Sequence, residues 1–175
     1  QLAYVIPRLA VGNSAPDQTT LYNLTYQYRY DGMGKLVEKK IPGKGWEYII
    51  YDKQDRVIMT QDANLRRTDN TFLAKGWMFT KYDAFGRVVY TGFFPSTDSR
   101  TTLQDQVNNI TVNQGNNETR TSGSFTSNGM EVYYSQNAFP SVGIKVLGIN
   151  YYDSYPAYSF NPLFPSTVLG QTVIT

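Results

Sequence analysis

A short motif that begins with Tyr-Asp occurs three times in the first half of the chain, and it constrains the fold more than any other feature. Its template is Tyr-Asp, two variable residues, Gly or Asp, a basic residue and two aliphatic residues. The copies start at Tyr30, Tyr51 and Tyr82, so the first two lie 21 residues apart and the next two 31 residues apart. A repeat of this length indicates stacked units of one kind.

Each copy has the pattern of a β-hairpin. Residues 24–30 alternate between apolar or aromatic and polar side chains, which is typical of a strand. The Asp of each motif favours a turn, and Gly34 and Gly86, with Asp55 in the same place, suit a left-handed backbone before the return strand. The residues that define the repeat are Tyr30, Asp31, Gly34, Tyr51, Asp52, Arg56, Tyr82, Asp83, Gly86 and Arg87.

The fold predicted from this pattern is mainly β, with stacked antiparallel hairpins and one short helix. One hairpin is marginal in water, whereas neighbouring hairpins pair their edges and pack their aromatic side chains. The 15 tyrosines and 14 glycines of the chain agree with short strands and tight turns. The ten extra residues between the second and third copies lie in a polar run, 61–75, that predicts a surface loop.

The chain divides into five predicted segments. Leu103, Val107 and Ile110 are spaced for one face of a helix, which is expected near residues 100–111. Residues 1–19 form an opening strand and linker, and residues 20–95 form the Tyr-Asp hairpins. Residues 96–129 contain the helix and then a mobile loop at 113–129. Residues 130–160 form further strands with a degenerate Tyr-Asp unit at Tyr152-Asp153, and residues 161–175 form an irregular tail.

Composition excludes several kinds of chemistry. The chain has no His and no Cys, so a Ser-His-Asp triad, a Cys-His pair and a zinc site built on those residues are absent. The net charge of +2 is small and its acids and bases are interspersed, which disfavours a nucleic-acid partner. No run of apolar residues is long enough for a membrane helix, so direct membrane insertion is not expected. We expect no cofactor, no metal and no enzymatic activity.

The motif Tyr-Asp-x-x-Gly-Arg-Val resembles the YD repeat of RHS and teneurin-type proteins. Residues 28–92, from YRYDGMGKLVEKK to YDAFGRVVYTG, are similar to RHS-repeat proteins of the Bacteroidota kind, and a looser likeness extends over residues 20–160. The resemblance implies an internal piece of a larger polypeptide whose β-sheet spirals into a hollow shell around a C-terminal toxin or effector. It also implies export to the cell surface or medium, often through the type IX system, with an export component as a partner. The self-cleaving core of RHS proteins is not seen, so protease activity is not implied.

Three alternatives are weighed against the scaffold. Trp46 and Trp77 are candidate glycan-facing aromatics in a carbohydrate-binding or adhesion module, although their fixed place before each Tyr-Asp favours packing between repeats. Asp31, Asp52 and Asp83 are candidate calcium ligands, but their regular position after Tyr favours turn formation. An enzyme that uses carboxylates alone ranks last.

Overall fold

The computed structural model describes residues 1–8, 15–110, 113–154, 156, 167–169 and 171–172. It is mainly β, as predicted. The strands are β1 (Tyr4–Val5), β2 (Tyr26–Tyr30), β3 (Leu36–Ile41), β4 (Gly45–Tyr51), β5 (Val57–Gln61), β6 (Gly76–Tyr82), β7 (Val88–Pro95), β8 (Arg120–Ser127), β9 (Met130–Tyr134), β10 (Lys145–Ile149), β11 (Thr167–Val168) and β12 (Gln171–Thr172). The helices are α1 (Gln18–Leu24) and α2 (Arg100–Asn108), with a 3-10 turn at Asn113–Asn116.

Eight strands form one antiparallel sheet in the order β1-β2-β3-β4-β5-β6-β7-β10. The Tyr-Asp motifs connect β2 to β3, β4 to β5 and β6 to β7, so each motif makes one hairpin and the hairpins lie side by side. This arrangement confirms the predicted stacked hairpins. Strands β8 and β9 form a separate hairpin, and β11 and β12 form another.

The main core lies on one face of this sheet. Ile50, Met59, Phe79 and Gly92 oppose one another across β4, β5, β6 and β7, so they form a row on that face. Gly92 is required in this row, because a Cβ there would lie 2.7 Å from the Phe79 ring and 2.2 Å from the Lys145 carbonyl oxygen. The core cluster also takes Leu103 and Val107 from α2, Val132 and Tyr134 from β9 and Val146 from β10.

The predicted helix near 100–111 is confirmed as α2, which ends at Asn108. Ser99 caps it by accepting a hydrogen bond from the Thr102 amide. A second helix, α1, was not predicted. The Asp17 side chain caps α1 by accepting a hydrogen bond from the Thr20 amide. The helix ends at Leu24, a residue that the alternating pattern had placed in the first strand.

The loop predicted over residues 113–129 is wrong in its second half, since β8 spans Arg120–Ser127. The strand was missed because nearly all of its side chains are exposed, so it shows no apolar alternation; only Phe125 and Ser127 are covered. Asn128 and Gly129 both have positive φ angles, 52° and 77°. An Asn-Gly turn with this geometry matches the twist of a two-residue hairpin.

Candidate functional site

The first layer of the candidate site is the turn made by each Tyr-Asp motif. In every copy one Oδ1 atom of the Asp accepts hydrogen bonds from the amides two and four residues later. The donors are Met33 and Lys35 to Asp31, Gln54 and Arg56 to Asp52, and Phe85 and Arg87 to Asp83, all between 2.8 and 3.0 Å. The carboxylates therefore hold their own turns, as predicted.

The fifth residue of each motif has a left-handed backbone. The φ angles are 85° at Gly34, 63° at Asp55 and 77° at Gly86, which confirms the predicted equivalence of the three positions. Asp is among the few side chains that tolerate this region. Each turn also carries a register shift at its tyrosine, so the same bulge recurs in all three hairpins.

The tyrosine of each motif joins its hairpin to the one before. The hydroxyl of Tyr51 donates to the carbonyl oxygen of Leu36 at 2.8 Å, and that of Tyr82 donates to Val57 at 2.8 Å. Leu36 and Val57 are the first residues of the preceding return strands, six positions after their own tyrosines. Tyr152 makes the same bond to Val88 at 3.0 Å, so the degenerate fourth unit keeps this contact.

The basic residue of each motif packs on the tyrosine of the next. Arg56 lies 4.6 Å from the ring centroid of Tyr82, and Arg87 lies 4.4 Å from that of Tyr152. Lys35 makes a longer contact of 5.7 Å with Tyr51. Cations over aromatic faces are attracted by the ring electrons. Each hairpin thus has a hydroxyl bond and a cation contact to its neighbour.

Arg56 and Arg87 are oriented by the aspartate of their own motif. The Nε atom of each donates to Oδ2 of Asp52 or Asp83 at 2.7 Å. Burial raises the pKa of Asp83, but hydrogen bonds from Arg87 and from two backbone amides outweigh burial and hold this pKa below 3.8. Burial raises the pKa of the Tyr51 and Tyr82 hydroxyls, which therefore remain donors at neutral pH.

The two tryptophans do not form a sugar-binding platform. Trp77 has an exposed fraction of 0% and lies in the core, 6.4 Å from the Tyr48 ring, so its assignment as a glycan-facing residue is wrong. Trp46 is half-buried, and the guanidinium of Arg29 covers it at 4.4 Å. Packing between strands, the preferred interpretation, explains both positions.

A buried ion pair fixes the chain after α2 to the sheet. Lys81 on β6 and Glu118, with exposed fractions of 1% and 0% for their side chains, lie 3.0 Å apart. Glu118 accepts four further hydrogen bonds, from the Tyr90 hydroxyl, the Ser135 hydroxyl and the amides of residues 137 and 138. Lys81 also donates to the Ala138 carbonyl. The sequence gives no sign of this cluster, because Glu118 lies in a polar segment whose composition is typical of a loop.

Burial dominates the electrostatics of this cluster. Desolvation lowers the pKa of Lys81 from 10.5 to about 8, and the Glu118 carboxylate opposes that change. Desolvation, together with the Glu118 charge, raises the pKa of Tyr90 far above its ordinary value. Both oxygens of Glu118 accept hydrogen bonds from groups within this cluster.

Neither a metal centre nor a membrane-spanning helix occurs in the part of the chain that the structure describes. Within that part, no three acidic residues are grouped so that they could hold a metal ion. No described helix has the length and apolar character to cross a bilayer.

The fold and these contacts define a mainly β protein of stacked antiparallel hairpins, in which each hairpin is joined to the next through one tyrosine. No protein-family model, no curated protein and no solved structure matches the chain.

Proposed function

We propose that the chain is a wall segment of a larger exported YD-repeat protein, and that this wall encloses or presents an attached toxin or effector. The observation that carries the proposal is the recurring contact of Tyr51, Tyr82 and Tyr152 with the backbone of the preceding hairpin. A contact that recurs unit by unit builds an extended sheet, because each unit offers the next one the same acceptor.

The amino-terminal edge of the sheet supports the proposal that the wall extends further. The Tyr30 hydroxyl donates to the Leu2 carbonyl at 3.0 Å. Leu2 therefore supplies the same kind of acceptor that Leu36, Val57 and Val88 supply to the later tyrosines. Strand β1 is only two residues long, and apolar residues around it remain exposed. The exposed residues near this edge are Leu2, Tyr4, Val5, Ile6, Tyr22, Leu24 and Tyr26. An edge of this kind accepts another strand.

The described polar residues favour a scaffold over an enzyme. The carboxylates of Asp31, Asp52 and Asp83 accept hydrogen bonds within their own turns, and the Glu118 carboxylate is paired with Lys81 in the buried cluster. With no His and no Cys in the chain, little remains for general acid-base or nucleophilic catalysis.

The intact mass and peptide map of the native polypeptide test the wall proposal first. We expect a parent several times larger than 19.9 kDa, with further Tyr-Asp motifs beside this segment. A native polypeptide of about this size would contradict the wall, and a binding or adhesion module would then be the leading function.

Protease protection of the cargo tests the enclosing role. The native polypeptide and a Tyr51→Ala/Tyr82→Ala variant are digested with trypsin, and the survival of the region that follows the repeats is measured. We expect the variant to lose that protection, whereas Val142→Ala, at an exposed apolar residue outside the Tyr-Asp hairpins, keeps it. Equal protection in all three proteins would refute the role.

A further inference from the structure

A cleft of about 330 Å³, lined mainly by polar residues, lies where the first turn of α2 meets the sheet. Its floor is a row of Glu38, Tyr48 and Gln61, which oppose one another across β3, β4 and β5. One wall is the segment 96–101, and the other is formed by Arg66 and Lys75 from the insertion between the second and third hairpins. We call this the Arg66 cleft. Its volume lies at the lower end of the range of small-molecule sites.

The charges of the Arg66 cleft leave cations available to a ligand. It is lined by three basic residues and two acidic ones. The acidic Glu38 is already occupied, since Arg29 from outside the cleft donates to it at 2.8 Å and Arg100 donates at 3.3 Å. Among the described residues, Arg66 and Lys75 have no acidic partner within salt-bridge distance. Three basic residues against two acidic ones, Glu38 and Asp98, leave the cleft with a net charge of +1, which favours an anion.

Arg66 is held in place without an ion pair. Its guanidinium lies 4.6 Å from the centroid of the Tyr48 ring, and Nη1 is 3.5 Å from the Gln61 carbonyl oxygen. Tyr48 is itself fixed by its contact with the buried Trp77. A guanidinium stacked on a fixed ring loses little freedom when its remaining N–H groups bind a carboxylate.

The rest of the wall suits a ligand rich in hydroxyl groups. The segment 96–101 places Ser96, Thr97, Ser99 and Thr101 in the lining. Ser99 caps α2 and bonds to Thr101, and the Ser96 oxygen accepts from the Asp98 amide, so Thr97 and the hydroxyl proton of Ser96 remain for a ligand. Hydroxyl groups both donate and accept hydrogen bonds, which is what a sugar requires. We propose that the Arg66 cleft binds a hexuronic acid unit, with the carboxylate at Arg66 and Lys75 and the sugar hydroxyls along residues 96–101.

Titration of the full chain with sodium glucuronate, followed by amide chemical shifts in NMR, tests this proposal. We expect saturable shifts in the millimolar range, confined to residues 66, 75 and 96–101 and the floor. Glucose, which has the same ring without the carboxylate, should bind at least roughly ten-fold more weakly, because one charge-assisted hydrogen bond accounts for about that factor.

Two variants and a matched control assign the site. Arg66→Gln and Lys75→Gln should each weaken glucuronate binding roughly ten-fold. Arg67→Gln changes the neighbouring arginine, which pairs with Asp69 instead, and should leave the affinity unchanged. Lys75 is exposed, so its variant remains informative if Arg66→Gln affects folding.

Three results would overturn the proposal. The first is no saturable shift with glucuronate, and the second is an equal loss of affinity in Arg66→Gln and Arg67→Gln, which would indicate diffuse charge attraction. The third concerns the class of ligand: if inorganic sulfate displaces glucuronate at equal concentration, the cleft is a general anion site and the sugar assignment is wrong.

Discussion

Removal of the Glu118 carboxylate is the most informative single perturbation of this fold. In Glu118→Ala the Lys81 ammonium keeps only the Ala138 carbonyl in a site that is 1% exposed, and the amides of residues 137 and 138 lose their acceptor. Breaking one partner of a buried pair costs about 3–5 kcal/mol. We expect a loss of about 4 kcal/mol in the free energy of unfolding.

Removal of Lys81 and removal of Glu118 should not lower the free energy of unfolding by the same amount. In Lys81→Met the Glu118 carboxylate retains the other four hydrogen bonds, and Met fills much of the volume of the lysine stem. We therefore expect Lys81→Met to destabilise the protein by about half as much as Glu118→Ala, because the carboxylate loses its counter-charge but keeps four hydrogen-bond donors.

Urea unfolding followed by tryptophan fluorescence measures both variants, since Trp77 is fully buried and reports loss of the core. Asp69→Ala removes an exposed carboxylate and serves as the control, with an unchanged midpoint. A loss below about 1 kcal/mol in Glu118→Ala, or a larger loss in Lys81→Met, would refute the reasoning about the buried charge.

Three further predictions concern pH, core packing and the joints between hairpins, by which we mean the bonds from the Tyr51, Tyr82 and Tyr152 hydroxyls to the preceding hairpin. Because burial lowers the pKa of Lys81 from 10.5 to about 8, the unfolded chain binds more protons than the folded chain between these two pH values. The free energy of unfolding should therefore rise by roughly 1.5 kcal/mol from pH 8 to 9.5. Urea titrations of Lys81→Met should lack this rise. Gly92→Ala should cost about 3 kcal/mol by forcing the Phe79 ring or β10 to move, whereas Gly32→Ala, with open space at its Cβ, should be nearly neutral in thermal melts. Tyr82→Phe should cost about 1 kcal/mol through loss of its bond to Val57, and the exposed Tyr26→Phe much less; equal midpoints for the two would contradict the proposed joint.

The parts of the fold that could be predicted from sequence are those in which local chemistry and tertiary structure agree. The Tyr-Asp turns, the left-handed positions at Gly34 and Asp55 and the helix at Leu103 depend on residues close together in the chain. Strand β8 could not be found by alternation because its side chains are exposed, although Asn128-Gly129 was a usable hairpin signal.

The candidate site was predicted less completely than the fold. The tyrosines of the motif were identified, but their acceptors are backbone carbonyls 15, 25 and 64 residues away, and nothing in a side-chain pattern marks a carbonyl. Glu118 and Lys81 are 37 residues apart and meet only after the sheet has formed. The Arg66 cleft is assembled from β3, β4, β5, the insertion and the segment 96–101, so its residues share no local motif.

The joint between hairpins has a consequence for how such chains evolve. Its donor is one tyrosine hydroxyl, and its acceptor is a main-chain oxygen that every residue type possesses. The unit on the accepting side can therefore change its side chains freely without losing the bond. Duplication, deletion or exchange of whole hairpins leaves this joint intact, so selection can lengthen or diversify such a chain one hairpin at a time.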